Sequence, residues 1–195
     1  MHERVPGIVR GDLRIFPLKN PKQTIFEKKN VICNTNSFLT ARLFANSAEP
    51  VAGVWGLAVG AGKATWSANA QDDPTALQVN MFSELKRKQL AEVTYLDGTG
   101  APTTAITNVV EFITVLNATT DLISDPIREM GLIGGGTNAG SIPTNMLTAP
   151  YFDPSGVTPN TVATNNSVVL INYMTLPTFL LPEGVDMGIS WTLTF

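Results

Sequence analysis

The residues best suited to chemistry are few in this 195-residue chain, and each lacks the neighbours that its chemistry requires. The single histidine, His2, lies at the start of the chain, away from any Ser and Asp that could complete a nucleophilic triad with it. The single cysteine, Cys33, has no histidine nearby to take its proton, and reads as a small buried side chain rather than a nucleophile. Gly60-Ala61-Gly62-Lys63-Ala64-Thr65 resembles a phosphate-binding loop, but Leu57 stands where the first glycine belongs and Ala64 replaces the magnesium-binding hydroxyl. A glycine turn leaving a strand is the expected structure there. Asp72-Asp73, placed before Pro74, suit a helix cap better than a metal or an acid/base pair. Asp121 and Asp125 lack the dense oxygen pattern of a calcium loop. Two distant carboxylates of a glycosidase would meet only in the fold, and no motif supports such a pair. Trp55, Trp66 and Trp191 could form a sugar platform, yet on apolar strands they read as core. The expectation is a chain with no catalytic, cofactor-binding or metal-ligating residue, and so not an enzyme.

Composition points the same way. Only 15% of residues are charged, while Thr, Asn, Gly and Pro are abundant, which favours strands, turns and ordered loops over amphipathic surface helices. A weakly charged surface is common where neighbouring subunits cover part of it, because burying a charge costs far more than burying a paired hydroxyl. The chain is long enough to bury roughly 70% of the surface its unfolded form exposes, so it needs no disulfide or zinc staple. Its first residues are too polar and charged for a signal peptide, and no apolar run reaches membrane-spanning length. Charge is uneven: residues 1–30 hold seven basic and three acidic side chains, the remainder six basic and thirteen acidic. A basic arm on an acidic body suits an acidic neighbour; without interleaved aromatic residues it is a poor match to a nucleic-acid surface.

The elements that must position these residues divide the chain in two. Residues 1–35, punctuated by Pro6, Pro17 and Pro21, read as an extended basic N-terminal arm with at most a short strand at Leu13-Arg14-Ile15-Phe16. Arg4, Arg10, Arg14, Phe16, Lys19, Lys22 and Phe26 of this arm, with Tyr151 and Phe152, are the candidate subunit contacts. Residues 36–195 read as an antiparallel β-sandwich domain. It carries short helices at 37–45 and 74–90, and a long Gly/Thr/Asn/Pro-rich loop at 134–166. In the second helix Leu77, Met81 and Leu85 would recur on one apolar face after the Asp73-Pro74 start. Strands are expected at 54–59, 91–96, 108–116, 126–133 and 167–176.

The clearest signal closes the chain. Val185, Met187, Ile189, Trp191, Leu193 and Phe195 alternate strictly with Asp186, Gly188, Ser190, Thr192 and Thr194, which a helical period would scatter. With Trp55, Leu77, Met81 and Leu85, the residues Met187, Ile189, Trp191, Leu193 and Phe195 form the expected core.

Along most of residues 31–195, after a short helix, several distinctive segments follow one another in order. Gly53-Val54-Trp55-Gly56-Leu57-Ala58-Val59-Gly60 precedes Asp73-Pro74-Thr75-Ala76-Leu77 and Glu84-Leu85-Lys86-Arg87-Lys88. Ile127-Arg128-Glu129-Met130-Gly131-Leu132 and Gly188-Ile189-Ser190-Trp191-Thr192-Leu193-Thr194-Phe195 complete it. This order resembles small tailed-bacteriophage virion proteins of the tail, tail-fibre-associated or collar type. The resemblance implies a structural component of the virion at the neck, collar, baseplate or fibre-attachment region. It implies several symmetric copies bound to other phage virion proteins; the apolar runs and the charge pattern, read above, make a membrane no expected partner and nucleic acid a poor one. A capsid decoration protein and a carbohydrate-binding receptor module are the alternatives. Glu84, Arg87, Arg128 and Glu129 match motif positions and are expected to form structural ion pairs.

Overall fold

The computed structural model describes residues 10–37, 39–40, 53–121, 123–135 and 168–195. The chain is mainly β and antiparallel. Its strands are β1 (Arg10–Pro17), β2 (Phe26–Ile32), β3 (Val54–Gly60), β4 (Glu84–Gln89), β5 (Glu92–Leu96), β6 (Pro102–Thr103), β7 (Val109–Leu116), β8 (Ile127–Gly135), β9 (Val168–Leu170), β10 (Asn172–Phe179) and β11 (Met187–Thr194). They run in the order β4-β3-β8-β10-β2-β1-β11-β7-β5-β6, with β9 added on β8.

β2 is the corner of this path. Gly11 to Ile15 pair with Phe26 to Asn30, whereas only Val31 and Ile32 pair with β10. One end of β2 therefore belongs to the layer built on β1, β11 and β7, and the other reaches the layer built on β10, β8 and β3. The two layers close on one core in sandwich fashion: Leu13, Ile15, Ile189, Trp191, Phe112 and Leu116 from the first meet Leu57, Val59, Met130, Leu132 and Met174 from the second.

The closing strand behaves as its alternation requires. Met187, Ile189, Trp191 and Leu193 are fully buried. In register, Trp191 lies between Leu13 and Phe112, and Ile189 between Ile15 and Thr114. Gly188 faces the other way, and an added Cβ there would run into the Phe16 ring. The missing side chain at Gly188 is what lets Phe16 lie flat on the outer face of the sheet. Phe195, past the strand's end, is 44% exposed and does not join the core.

Three expectations change. From Arg10 on, the N-terminal segment is not an arm laid outside the domain: β1 and β2 occupy the middle of the strand order, and Leu13 and Ile15 are fully buried. The cause is a period-two pattern, in which the inward Leu13 and Ile15 alternate with the outward Asp12 and Arg14. Residues 1–9, with Arg4, lie outside the described residues.

The helix expected at 74–90 does not form either. Residues 74–83 are irregular and Glu84–Gln89 is an edge strand. Leu77 is 77% exposed, Leu85 is half-buried, and Met81 alone of that stripe is buried. The local propensity is overridden by pairing with β3, which gains a ladder of backbone hydrogen bonds. Third, Pro177 lies inside β10 rather than in a connection, at the place where the register with β8 shifts between Thr175 and Phe179. A residue without an N–H is tolerated at such an irregularity.

Of the helix expected at 37–45, residues 36, 37, 39 and 40 are helical and 41–45 lie outside the described residues. Of the long loop, Gly134 and Gly135 end β8, and the rest, with Tyr151 and Phe152, also lies outside them.

Trp191→Ala removes the largest fully buried side chain from the core the two layers share. Its unfolding free energy should fall by about 3–5 kcal/mol, measured as a lower urea midpoint at unchanged slope. A loss below about 1 kcal/mol would show that the layers do not meet on this residue.

Candidate functional site

Two polar regions stand out, one buried on the outer face of the β3–β8–β10 layer and one open on the outer face of the β1–β11–β7 layer.

The buried region is organised by residues that are too small to fill it. Ala58 pairs with Arg87 and Gly131, and Gly60 with Glu84 and Glu129. A Cβ on Gly60 would lie 2.5 Å from a carboxylate oxygen of Glu129, so glycine is required for Glu129 to lie across β3. Glu129 is fully buried, and its two oxygens accept hydrogen bonds from the backbone N–H of Ser83 (2.8 Å), Phe82 (3.0 Å) and Gly62 (3.2 Å) and from the Tyr173 hydroxyl (2.6 Å). Burial first, and the Glu129 charge second, push the Tyr173 phenol far above its usual pKa, so it stays a proton donor.

The glycine turn that resembles a phosphate loop thus presents an N–H to an internal carboxylate. Gly62 has φ 73°, and the Trp66 ring occupies the space a side chain would need. Lys63, the residue in the phosphate-lysine position, pairs with Asp72 and lies 4.4 Å from the Phe82 ring centre. The Lys63 hydrogen bond is the first cause that holds the Asp72 carboxyl below its usual pKa.

Beside it, Glu84 and Arg87 form a fully buried two-pronged pair at 2.6 and 2.8 Å. Residues three apart on a regular strand face opposite ways. Here Glu84 pairs with Gly60 and Lys86 with Val59, so Leu85 is an extra residue that brings Glu84 and Arg87 to one face. Of the four motif residues, Glu84 and Arg87 make the expected ion pair. Glu129 is held by amides and a phenol instead, and Arg128 donates to the Thr178 hydroxyl and the Trp66 carbonyl. Asp121, fully buried, pairs with Lys88 and accepts the Asn117 N–H at 2.7 Å. Cys33 is buried, which raises its thiol pKa to about 12 and leaves it protonated at neutral pH. Cys33 apart, these groups tie segments of the fold together.

The open region is a cleft of about 340 Å³. Its floor is set by register: Asp12, Thr192 and Glu111 form one cross-strand row, and Glu27, Arg14 and Ser190 the next. Leu96 and Gly100 of the β5–β6 hairpin line its other side. That hairpin is shaped by Asp97, whose carboxylate accepts the Thr99 hydroxyl (2.7 Å) and the N–H groups of Thr99 (2.8 Å) and Ala101 (3.0 Å). The Thr99 hydroxyl is the first cause of a lowered Asp97 pKa.

Within the cleft, Asp12 is taken by Arg10 at 2.7 Å, and Glu111 accepts the buried Ser190 hydroxyl. The Arg14 guanidinium lies 4.6 Å from the Phe16 ring centre. Among the described residues, no hydrogen bond or ion pair engages Arg14 or Glu27. No three His, Cys, Asp or Glu side chains among them are grouped to hold a metal ion.

The candidate contact residues are thus dispersed. Arg10 and Arg14 are on β1, Phe16 is buried on Gly188, Phe26 is half-buried at the start of β2, and Lys19 and Lys22 are exposed in the turn between. Asp12, Glu27 and Glu111 carry no motif, while Ser190 and Thr192 fall within the closing segment of the resemblance; the trace that marks them for the cleft is their outward place in alternating strands. Neither protein-family models nor curated proteins give a match to the chain.

Glu129→Gln puts an amide N–H₂ against groups that themselves donate. It should cost about 2–3 kcal/mol in urea unfolding and speed thermolysin cleavage within residues 61–83. An unchanged midpoint and cleavage rate would show that Glu129 does not anchor that segment.

Proposed function

We propose that the chain is a structural protein of a tailed-bacteriophage particle, placed at the neck, collar, baseplate or fibre-attachment region, where it works by binding neighbouring virion subunits. The observation that supports this reading is where the segments of the resemblance fall. They supply β3, β4, the start of β8 and β11, the frame of both layers, and their polar members Glu84, Arg87, Arg128 and Glu129 are engaged in internal ties. A family likeness carried by frame residues speaks for a shared architecture, and the architecture of that group serves assembly.

The sheet's ends fit association through side chains rather than strand addition. Among the described residues one end strand, β4, is bulged at Leu85 and carries Lys86 and Lys88, and the other, β6, is two residues long and begins with Pro102. Charge, proline and shortness at an edge oppose pairing with a further chain.

The position of β1 and β2 decides how the reading is tested. A deletion of residues 1–30 would remove β1 and most of β2 and so unfold the domain; residues 1–9 can be removed without touching either. Particles made by the genome that encodes the chain should contain it in several copies. Labelling with antibody fragments should mark the tail or a single vertex in electron micrographs. Label spread over the whole shell would favour the decoration alternative, and absence from purified particles would refute the virion reading.

A further inference from the structure

The cleft over β1 and β11 holds groups that the fold's internal ties leave free, and these groups have a definite chemistry. We propose that it is a binding site for a saccharide unit, an inference that stands whether or not the chain belongs to a virion.

The argument goes by elimination and then by fit. An anionic ligand would face the carboxylates of Glu27 and Glu111 with the Arg14 guanidinium to offset them, since Arg10 is taken up by Asp12. A metal ion lacks a set of three grouped ligands among the described residues. An apolar ligand finds little to cover it: among the described residues Leu96 is the one apolar wall, since the Leu13 side chain belongs to the core. A simple cation is served poorly as well, because Arg10 already neutralises Asp12 and Arg14 stands in the same row as Glu27.

What remains is a balanced set of donors and acceptors. Among the described residues no side chain engages the Glu27 carboxylate, and none accepts from the guanidinium of Arg14, opposite it on the neighbouring strand. Thr192 can donate or accept, and one oxygen of Glu111 accepts Ser190 while the other keeps its lone pairs. A neutral molecule with closely spaced hydroxyls satisfies both kinds at once: adjacent hydroxyls donate to Glu27 and Glu111 while accepting from Arg14. Leu96, itself largely buried, offers only the edge of its side chain to a ring's C–H face. A volume of about 340 Å³ lies at the small end of the roughly 300–1,000 Å³ of small-molecule sites. The site is also pre-formed: Phe16 holds the Arg14 guanidinium from one side, and Asp97 fixes the hairpin that makes the far wall.

The test is a titration of the isotope-labelled full chain, followed by NMR, with N-acetyl-D-glucosamine, D-galactose and D-glucose in turn and L-alanine as a zwitterionic control. At least one sugar should give saturable shifts at the amides of Asp12, Arg14, Glu111 and Thr192. Glu27→Ala and Thr192→Val, both on the outer face, should keep a dispersed spectrum and weaken that binding by about tenfold or more. The proposal is overturned if none of the three sugars saturates the cleft, if L-alanine shifts it equally, or if both folded variants bind as the original chain does.

Discussion

The structure depends on the pairing of β1 with β11. Eight residues of each strand meet in unbroken antiparallel register, Arg10 opposite Thr194 through Pro17 opposite Met187. On the inner face that register sets Leu13 against Trp191 and Ile15 against Ile189, four side chains with no exposure. At roughly 1.5–3 kcal/mol for each large apolar side chain buried, this block is a large share of what a domain of marginal net stability possesses. β7 is placed by β11, β2 by β1, and the second layer by the turn of β2 toward β10. The same register fixes the outer face, because a slip by one residue would exchange Leu13 and Ile15 for Asp12 and Arg14.

The second layer solves a different problem. Its outer face must be covered, and the cover is an irregular stretch, residues 61–83, whose backbone polar groups need partners. Glu129 provides them from within the sheet. A carboxylate can accept several N–H groups at once and makes stronger hydrogen bonds than a neutral acceptor, so one side chain anchors both ends of the cover, Gly62 near its start and Phe82-Ser83 at its finish. Gly60 leaves room for it, and Gly131 lets β10 approach at Asn172 and Leu170 fill the space beside it. These features are one device, and removing any part leaves a buried charge or amide without a partner, which costs more than the bond itself contributed.

What could be read from the sequence follows from how far apart the deciding residues lie. β11 was legible because its alternation runs unbroken for eleven residues, and β3, β7 and β8 because their apolar runs are bounded by turn residues. β1 was not, because its period-two pattern is short and carried by Asp and Arg as much as by Leu and Ile. β4 was misread for a physical reason: Glu84 and Lys88, with Leu77, Met81 and Leu85, have helical spacing, and a bulge at Leu85 puts Glu84 and Arg87 on one face as a helix would. Nothing short of the partner strand distinguishes the two. The role of Glu129 and the rows of the cleft were beyond reach, since they join residues from strands up to 180 positions apart, Asp12 beside Thr192, whose proximity exists only in the register.

The most direct test of the central claim is native-state hydrogen exchange of the backbone amides of residues 11–16. With β2 on one side and β11 on the other, they should exchange only through global unfolding, with the same free energy as the amides of β11 and a larger one than those of the β5–β6 hairpin. Exchange of residues 11–16 at the rate of a loose terminus, with β11 still protected, would contradict the account.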